Sequence, residues 1–80
     1  MNESEIKELV FAGLRRIAPE SEPESLRPDQ NIRESLEIDS FDFLRFLVGL
    51  NEKTGVEIPE DDYGQLVTLD DMIRYLEARV

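Results

Sequence analysis

The sequence predicts an all-α fold: a four-helix bundle of three main helices and one short helix, with a long loop between the first and second helices. Three observations carry this. Apolar residues recur at helical spacing in three separate stretches. Each stretch opens on a residue pair that suits a helix N-terminus: Asn2 with Glu5, Asp39 with Asp42, and Thr68 with Asp71. No two alternating apolar runs are joined by a tight-turn dipeptide, so nothing signals a hairpin. Short links favour antiparallel neighbours, while the loop after the first helix is long enough to cross the bundle.

The first helix follows from Ile6, Leu9, Val10, Leu14 and Ile17, with Gly13 on the same face and Lys7, Glu8, Arg15 and Arg16 between them. It stops before Pro19. Residues 19–38 are different. Pro19-Glu20-Ser21 is echoed by Pro23-Glu24-Ser25, and Pro28 follows, which reads as an irregular loop. So long a loop in a small domain needs anchors. Leu26, Ile32, Leu36 and Ile38 supply them, and Asn31 with Glu34 predicts a single helical turn carrying Leu36. The acidic tip is expected to be the most mobile part.

The second helix, residues 40–53, begins after Asp39, whose carboxylate suits the N-cap and the positive end of the helix dipole. Its apolar residues cover roughly 220° of the wheel at 100° per residue, against about 100° for an ordinary surface helix. Phe43, Phe46, Leu47 and Leu50 are the core face. Phe41, Leu44 and Val48 form a flank beside Ser40, and Asp42, Arg45, Gly49, Glu52 and Lys53 form the polar strip. An arc this broad describes a central helix with a docking flank.

Gly55 ends that helix in a left-handed cap. Val56-Glu57-Ile58-Pro59 is extended, and Glu60-Asp61-Asp62 starts the short helix running through Tyr63 and Leu66. The acidic run is not a calcium loop: it has no alternating ligand series and no suitably placed glycine, and Pro59 interrupts it. The last helix follows from Leu69, Met72, Ile73, Leu76 and Val80 on one face, with Tyr75 at its border.

Composition narrows the function. Eighty residues make a single small domain, 1–80, with a modest core. There is no cysteine and no histidine, so no disulfide, no thiolate metal site and no imidazole base. No apolar run approaches the ~20 residues that span a bilayer, and the acidic N-terminus is unlike a signal peptide. A cytoplasmic monomer without stable membrane insertion is expected. The net charge of −10 opposes nucleic acid, whose phosphates it would repel, and favours basic protein surfaces or simple solubility.

Ser40 falls at the first helical position with its hydroxyl toward water. On Asp-Ser alone, a helix-start residue without chemistry is the default. A nucleophilic serine would need a base, and neither histidine nor a Gly-x-Ser-x-Gly elbow is present. A covalent attachment point, where another enzyme does the chemistry, needs only exposure and a defined helix start.

The order of motifs resembles the acyl carrier protein family from about Asp29 to Leu76. That family shows Leu-Gly-x-Asp-Ser-Leu, an apolar-acidic helix, Gly-x-x-Ile-Pro, a short helix and a Thr-x-x-Asp-like last helix. This chain reads Leu36-Glu37-Ile38-Asp39-Ser40-Phe41, then Gly55-Val56-Glu57-Ile58-Pro59-Glu60, then Val67-Thr68-Leu69-Asp70-Asp71. The resemblance implies that a phosphopantetheinyl transferase joins 4′-phosphopantetheine from coenzyme A to Ser40, and that Asp39 aids recognition by the transferase. It implies acyl thioester cargo for fatty acid, polyketide or related biosynthesis, delivered to acyl ligase or synthase enzymes by a carrier that is not itself an enzyme. Phe41, Asp42, Leu44, Arg45 and Val48 match partner-contact positions.

The chain departs from the family pattern at five positions. Glu37 stands where glycine is usual and Phe41 where leucine is. Arg45 and Asn51 replace acids typical of fatty-acid-synthesis carriers, and Thr54 stands where the family often has Phe. These departures suggest a specialised carrier rather than the housekeeping one, with phenylalanines crowding any acyl pocket. The alternatives are an aminoacyl carrier, such as a D-alanyl or stand-alone peptidyl carrier, and an unmodified helical protein-interaction module.

Overall fold

Asn2 opens helix α1 (Glu3–Ile17) with a full capping box: its side chain accepts from Glu5 N at 2.8 Å, and the Glu5 carboxylate accepts from Asn2 N at 3.2 Å. Ile6, Val10 and Leu14 are wholly buried at i, i+4, i+8 spacing, so α1 forms one wall of the core. The computed structural model describes residues 1–80. A single-turn helix α2 (Ile32–Ser35), the long α3 (Ser40–Thr54) and α4 (Leu69–Glu77) follow, and α1 packs against both α3 and α4. Gly13 allows the α1–α3 approach, because a Cβ there would lie 2.8 Å from the Phe46 ring.

The expected short helix is a 3-10 segment, Glu60–Gln65. Short pieces favour the tighter 3-10 bond pattern, and this one turns through Gly64 and hands over to the buried Leu66. The only ladder-like pairing is an isolated bridge between Asn31 and Thr68.

The long loop is pinned as expected, with three differences. Leu26, Ile32 and Ile38 are buried. Each such side chain stabilises by about 1.5–3 kcal/mol, more than the ~1 kcal/mol of a cap, so burial rather than capping holds the loop. Asn31 does cap α2, accepting from Glu34 N at 3.0 Å, but the turn drives Ile32 inward and leaves Leu36 half-buried at its end. Pro23, inside the acidic tip, is wholly buried and starts a 3-10 turn, Pro23–Ser25. Its ring is apolar and has no N–H to strand, so burial leaves no donor unsatisfied. Arg15 of α1 pairs with Glu24 of the same turn.

Two further bonds tie the end of the loop to the start of α4: Ile32 N to Val67 O and Asp70 N to Pro28 O, both 3.0 Å. The Thr68/Asp71 capping box starts α4. Leu69, Met72, Ile73 and Leu76 enter the core, but Val80 does not, because α4 ends at Glu77 and the last turn leaves the helical track. Tyr75 is buried rather than at the border. No helix is long and apolar enough to cross a membrane.

Candidate functional site

The lead-in to α3 is a helix ending placed back to back with a helix start. α2 closes in a Schellman turn: Ile38 N donates to Arg33 O at 2.9 Å and Glu37 N to Glu34 O at 3.4 Å. Such a turn places its C′ residue in the left-handed region, which normally belongs to glycine. Here the residue is Glu37, at φ 54°, the one non-glycine residue with positive φ. Ile38 then turns inward. Asp39 takes the extended N-cap conformation (φ −77°, ψ 171°), and its Oδ1 accepts from Asp42 N at 2.8 Å.

Ser40 therefore stands first in α3, exposed. The capping bond is made by Asp39, so the serine hydroxyl is not spent on it. Beside it lies an open groove of about 570 Å3, lined mainly by apolar side chains. Phe43, Leu44 and Leu47 of α3 form one wall, and Tyr63 and Leu66 the other. Phe43 is the one phenylalanine that lines the groove. Phe46 points to Gly13 and Phe41 to solvent, so the phenylalanines do not all converge on it.

The opposite wall is braced from α4. Tyr75 Oη donates to Asp62 Oδ2 at 2.6 Å, and the Arg79 guanidinium lies 3.6 Å from the centre of the Tyr75 ring. Burial, and then the hydrogen bond to Asp62, push the Tyr75 hydroxyl above its ordinary pKa of 10.0. This brace was not legible in the sequence: Asp62 and Tyr75 lie thirteen positions apart on different elements.

The other candidate residues divide between two places. Leu44 touches the groove at Ser40 and also a second groove between α1 and α3, of about 770 Å3, which Arg45 and Val48 share. Phe41, Leu44 and Val48 are 68%, 41% and 49% exposed, as their flank position predicts. Asp42 faces Arg45 across 3.7 Å in an exposed pair of small energetic weight. Arg16 and Lys53 also border the second groove, so its lining sets three cations, with Arg45, against the one carboxylate of Glu52, in a chain that is acidic as a whole. Asn51, a departure from the family pattern, is a brace rather than a surface charge: its Nδ2 donates to Val56 O at 2.6 Å.

Comparison with known proteins follows the same line. A family model described as the phosphopantetheine attachment site matches residues 9–76. The acyl carrier protein of Thermosynechococcus vestitus is 34% identical over 80 residues, which is 100% of this chain and 98% of that protein. The acyl carrier protein of Chlamydia trachomatis serovar D is 40% identical over 57 residues, 71% of this chain and 74% of that one. The meromycolate extension acyl carrier protein of Mycolicibacterium smegmatis is 32% identical over 74 residues, 89% of this chain and 75% of that one.

Proposed function

The chain belongs to the acyl carrier protein family, and on that premise we propose that Ser40 is the residue to which its 4′-phosphopantetheine arm is joined. The observation that carries this is the exposed Ser40 hydroxyl, first in α3, capped from behind by Asp39 and opening on an apolar groove. The residues present suit the group. A phosphodiester is favoured at a helix N-terminus by the dipole and the orphan N–H groups, and the groove offers apolar surface to what the arm carries. When bound, the arm supplies a thiol that holds an acyl group as a thioester.

The chain's own contribution is positional. Asp39 orients the first turn of α3 and marks it for the transferase. The flank of Phe41, Leu44 and Val48, with Asp42 and Arg45 beside it, meets the transferase and the acyl ligase or synthase enzymes. Once a partner has docked there, delivery of the tethered cargo is effectively intramolecular. The chain acts on this proposal as a cytoplasmic monomer of one domain, 1–80, and catalyses nothing itself, having no histidine or cysteine to supply a base or thiolate.

Incubation with coenzyme A and a phosphopantetheinyl transferase, read by intact mass, tests the assignment. Wild type gains one phosphopantetheinyl group and Ser40→Ala gains none. A variant that still gains mass would move the site elsewhere.

The basic border of the second groove, Arg16, Arg45 and Lys53, supports a specialised carrier with its own partners. Offered to fatty acid synthesis enzymes beside a housekeeping carrier, this protein supports less chain elongation. Equal elongation sinks the specialised reading and leaves the attachment site untouched.

A further inference from the structure

Arg33 is the one cation lining the groove that holds Ser40. In a chain of net charge −10, carboxylates are plentiful, and Arg15, Arg27, Arg45 and Arg74 each pair with one. Arg33, like Arg16 and Arg79, pairs with none, although Glu34 lines the same groove. Its placement is set by the backbone. The Schellman turn that ends α2 binds Arg33 O to Ile38 N, and the side chain of the same residue turns back so that Nε lies 3.5 Å from Ile38 O. The guanidinium carbon stands 5.9 Å from the centre of the Phe43 ring. Ile38 and Phe43 bracket Ser40 in sequence, so the guanidinium is held over the first turn of α3. Only its Nε–H meets a protein acceptor, at the long end of the range, which leaves the paired terminal N–H groups for an anion.

A phosphoryl group on Ser40 would otherwise enter unfavourable company. Asp39 is its neighbour and Asp42 shares its helix turn, while Glu34 and Glu37 stand in the lead-in. The Asp39 carboxylate already occupies the N–H of Asp42, so part of the helix terminus is not available to a second anion. Like charges this close weaken attachment and drive the root of the arm outward, whereas a planar guanidinium with unspent N–H groups offsets them.

We infer that Arg33 forms an anion subsite that takes the phosphodiester at the root of the arm on Ser40 and holds it against the groove. The inference rests on Ser40 being the attachment point. A carboxylate at the far end of a dicarboxylic cargo presents the same chemistry to a guanidinium, and the experiment separates the two sources.

Arginine Nε–H resonances are recorded for the apo protein, the phosphopantetheinylated protein, and that protein loaded with acetyl or malonyl groups, each form verified by intact mass. Attachment shifts Arg33 Nε–H more than those of Arg27, Arg45 and Arg74, and acetyl and malonyl loading leave the shifted position the same. In modified Arg33→Gln the phosphorus-31 resonance moves away from its wild-type position, and Arg33→Lys brings most of that displacement back. Mass gain with an unmoved Arg33 resonance overturns the subsite while the attachment reading stands. A resonance that moves only on malonyl loading overturns it in favour of the cargo. No mass gain overturns the attachment reading and the subsite with it.

Discussion

The two ends of α3 solve the same backbone problem with different residues. Each is flanked by a left-handed position, Glu37 at φ 54° before the helix and Gly55 at φ 74° after it. At the C-terminal end glycine adopts that conformation without steric cost, and three side-chain bonds seal the turn. Thr54 Oγ1 donates to Leu50 O at 2.7 Å and accepts from Val56 N at 3.1 Å, and Asn51 donates to Val56 O at 2.6 Å. At the N-terminal end a glutamate is held where an L-residue costs roughly 1–2 kcal/mol, and one carboxylate bond caps the helix. The well-sealed end carries no candidate attachment residue. The strained, sparsely capped end carries Ser40 and its groove. A helix can thus be anchored at one end so that the other remains open to chemistry, as strain at functional sites often accompanies over-determined surroundings.

Substitutions at the two ends sharpen or break this contrast. The largest effect is expected from Asn51→Ala, which leaves the carbonyl of the buried Val56 without its donor. Loss of about 2 kcal/mol in denaturant unfolding is expected, with attachment to Ser40 still proceeding in the folded protein. A cost near zero would mean that the C-terminal seal does not anchor α3. Asp39→Ala removes the N-cap and should lower stability by about 1 kcal/mol. It should also slow transferase modification at concentrations where wild type is fully converted. Unchanged modification would confine Asp39 to helix capping. The smallest effect is of opposite sign. Glu37→Gly relieves the left-handed strain but gives the unfolded chain more freedom, by about 0.4–1 kcal/mol. A net gain of roughly 0.5 kcal/mol remains, read as a small rise in Tm. A lower Tm would show that the Glu37 side chain contributes stability that outweighs its strain, and the contrast between the ends would fail.

What could be read from the chain was local. The caps at Asn2, Asp39 and Thr68 rest on residue pairs three positions apart, and all three form. The inner face of α3 is the set Phe43, Phe46, Leu47 and Leu50, because a 3.6-residue period leaves little choice once the polar strip is known. The outer flank of Phe41, Leu44 and Val48 follows by the same rule. Pro23 escaped because a proline among glutamates has no period to betray its burial. Val80 misled because its spacing continues a helix that had already ended.

The candidate site divides the same way. Ser40 and its cap lie within four residues of each other, and the order of motifs along the chain singles them out. The groove is different, since its walls come from α3 and from the 3-10 segment with Leu66, and the Asp62–Tyr75 bond that braces the second wall spans separate elements. Arg33 carries no motif or period that marks it, and its place above the first turn of α3 follows from the Schellman turn and the Phe43 ring.

By itself the sequence determined the helices, their inward faces and the exposed hydroxyl, because hydrogen bonds and side-chain periodicity within one helix act over three or four residues. The tertiary structure alone decided the groove, the company Arg33 keeps and the closeness of Gly13 to Phe46. Those depend on which distant elements the shared burial of apolar surface brings together, and residues far apart in the chain carry no mark of one another until the core has formed.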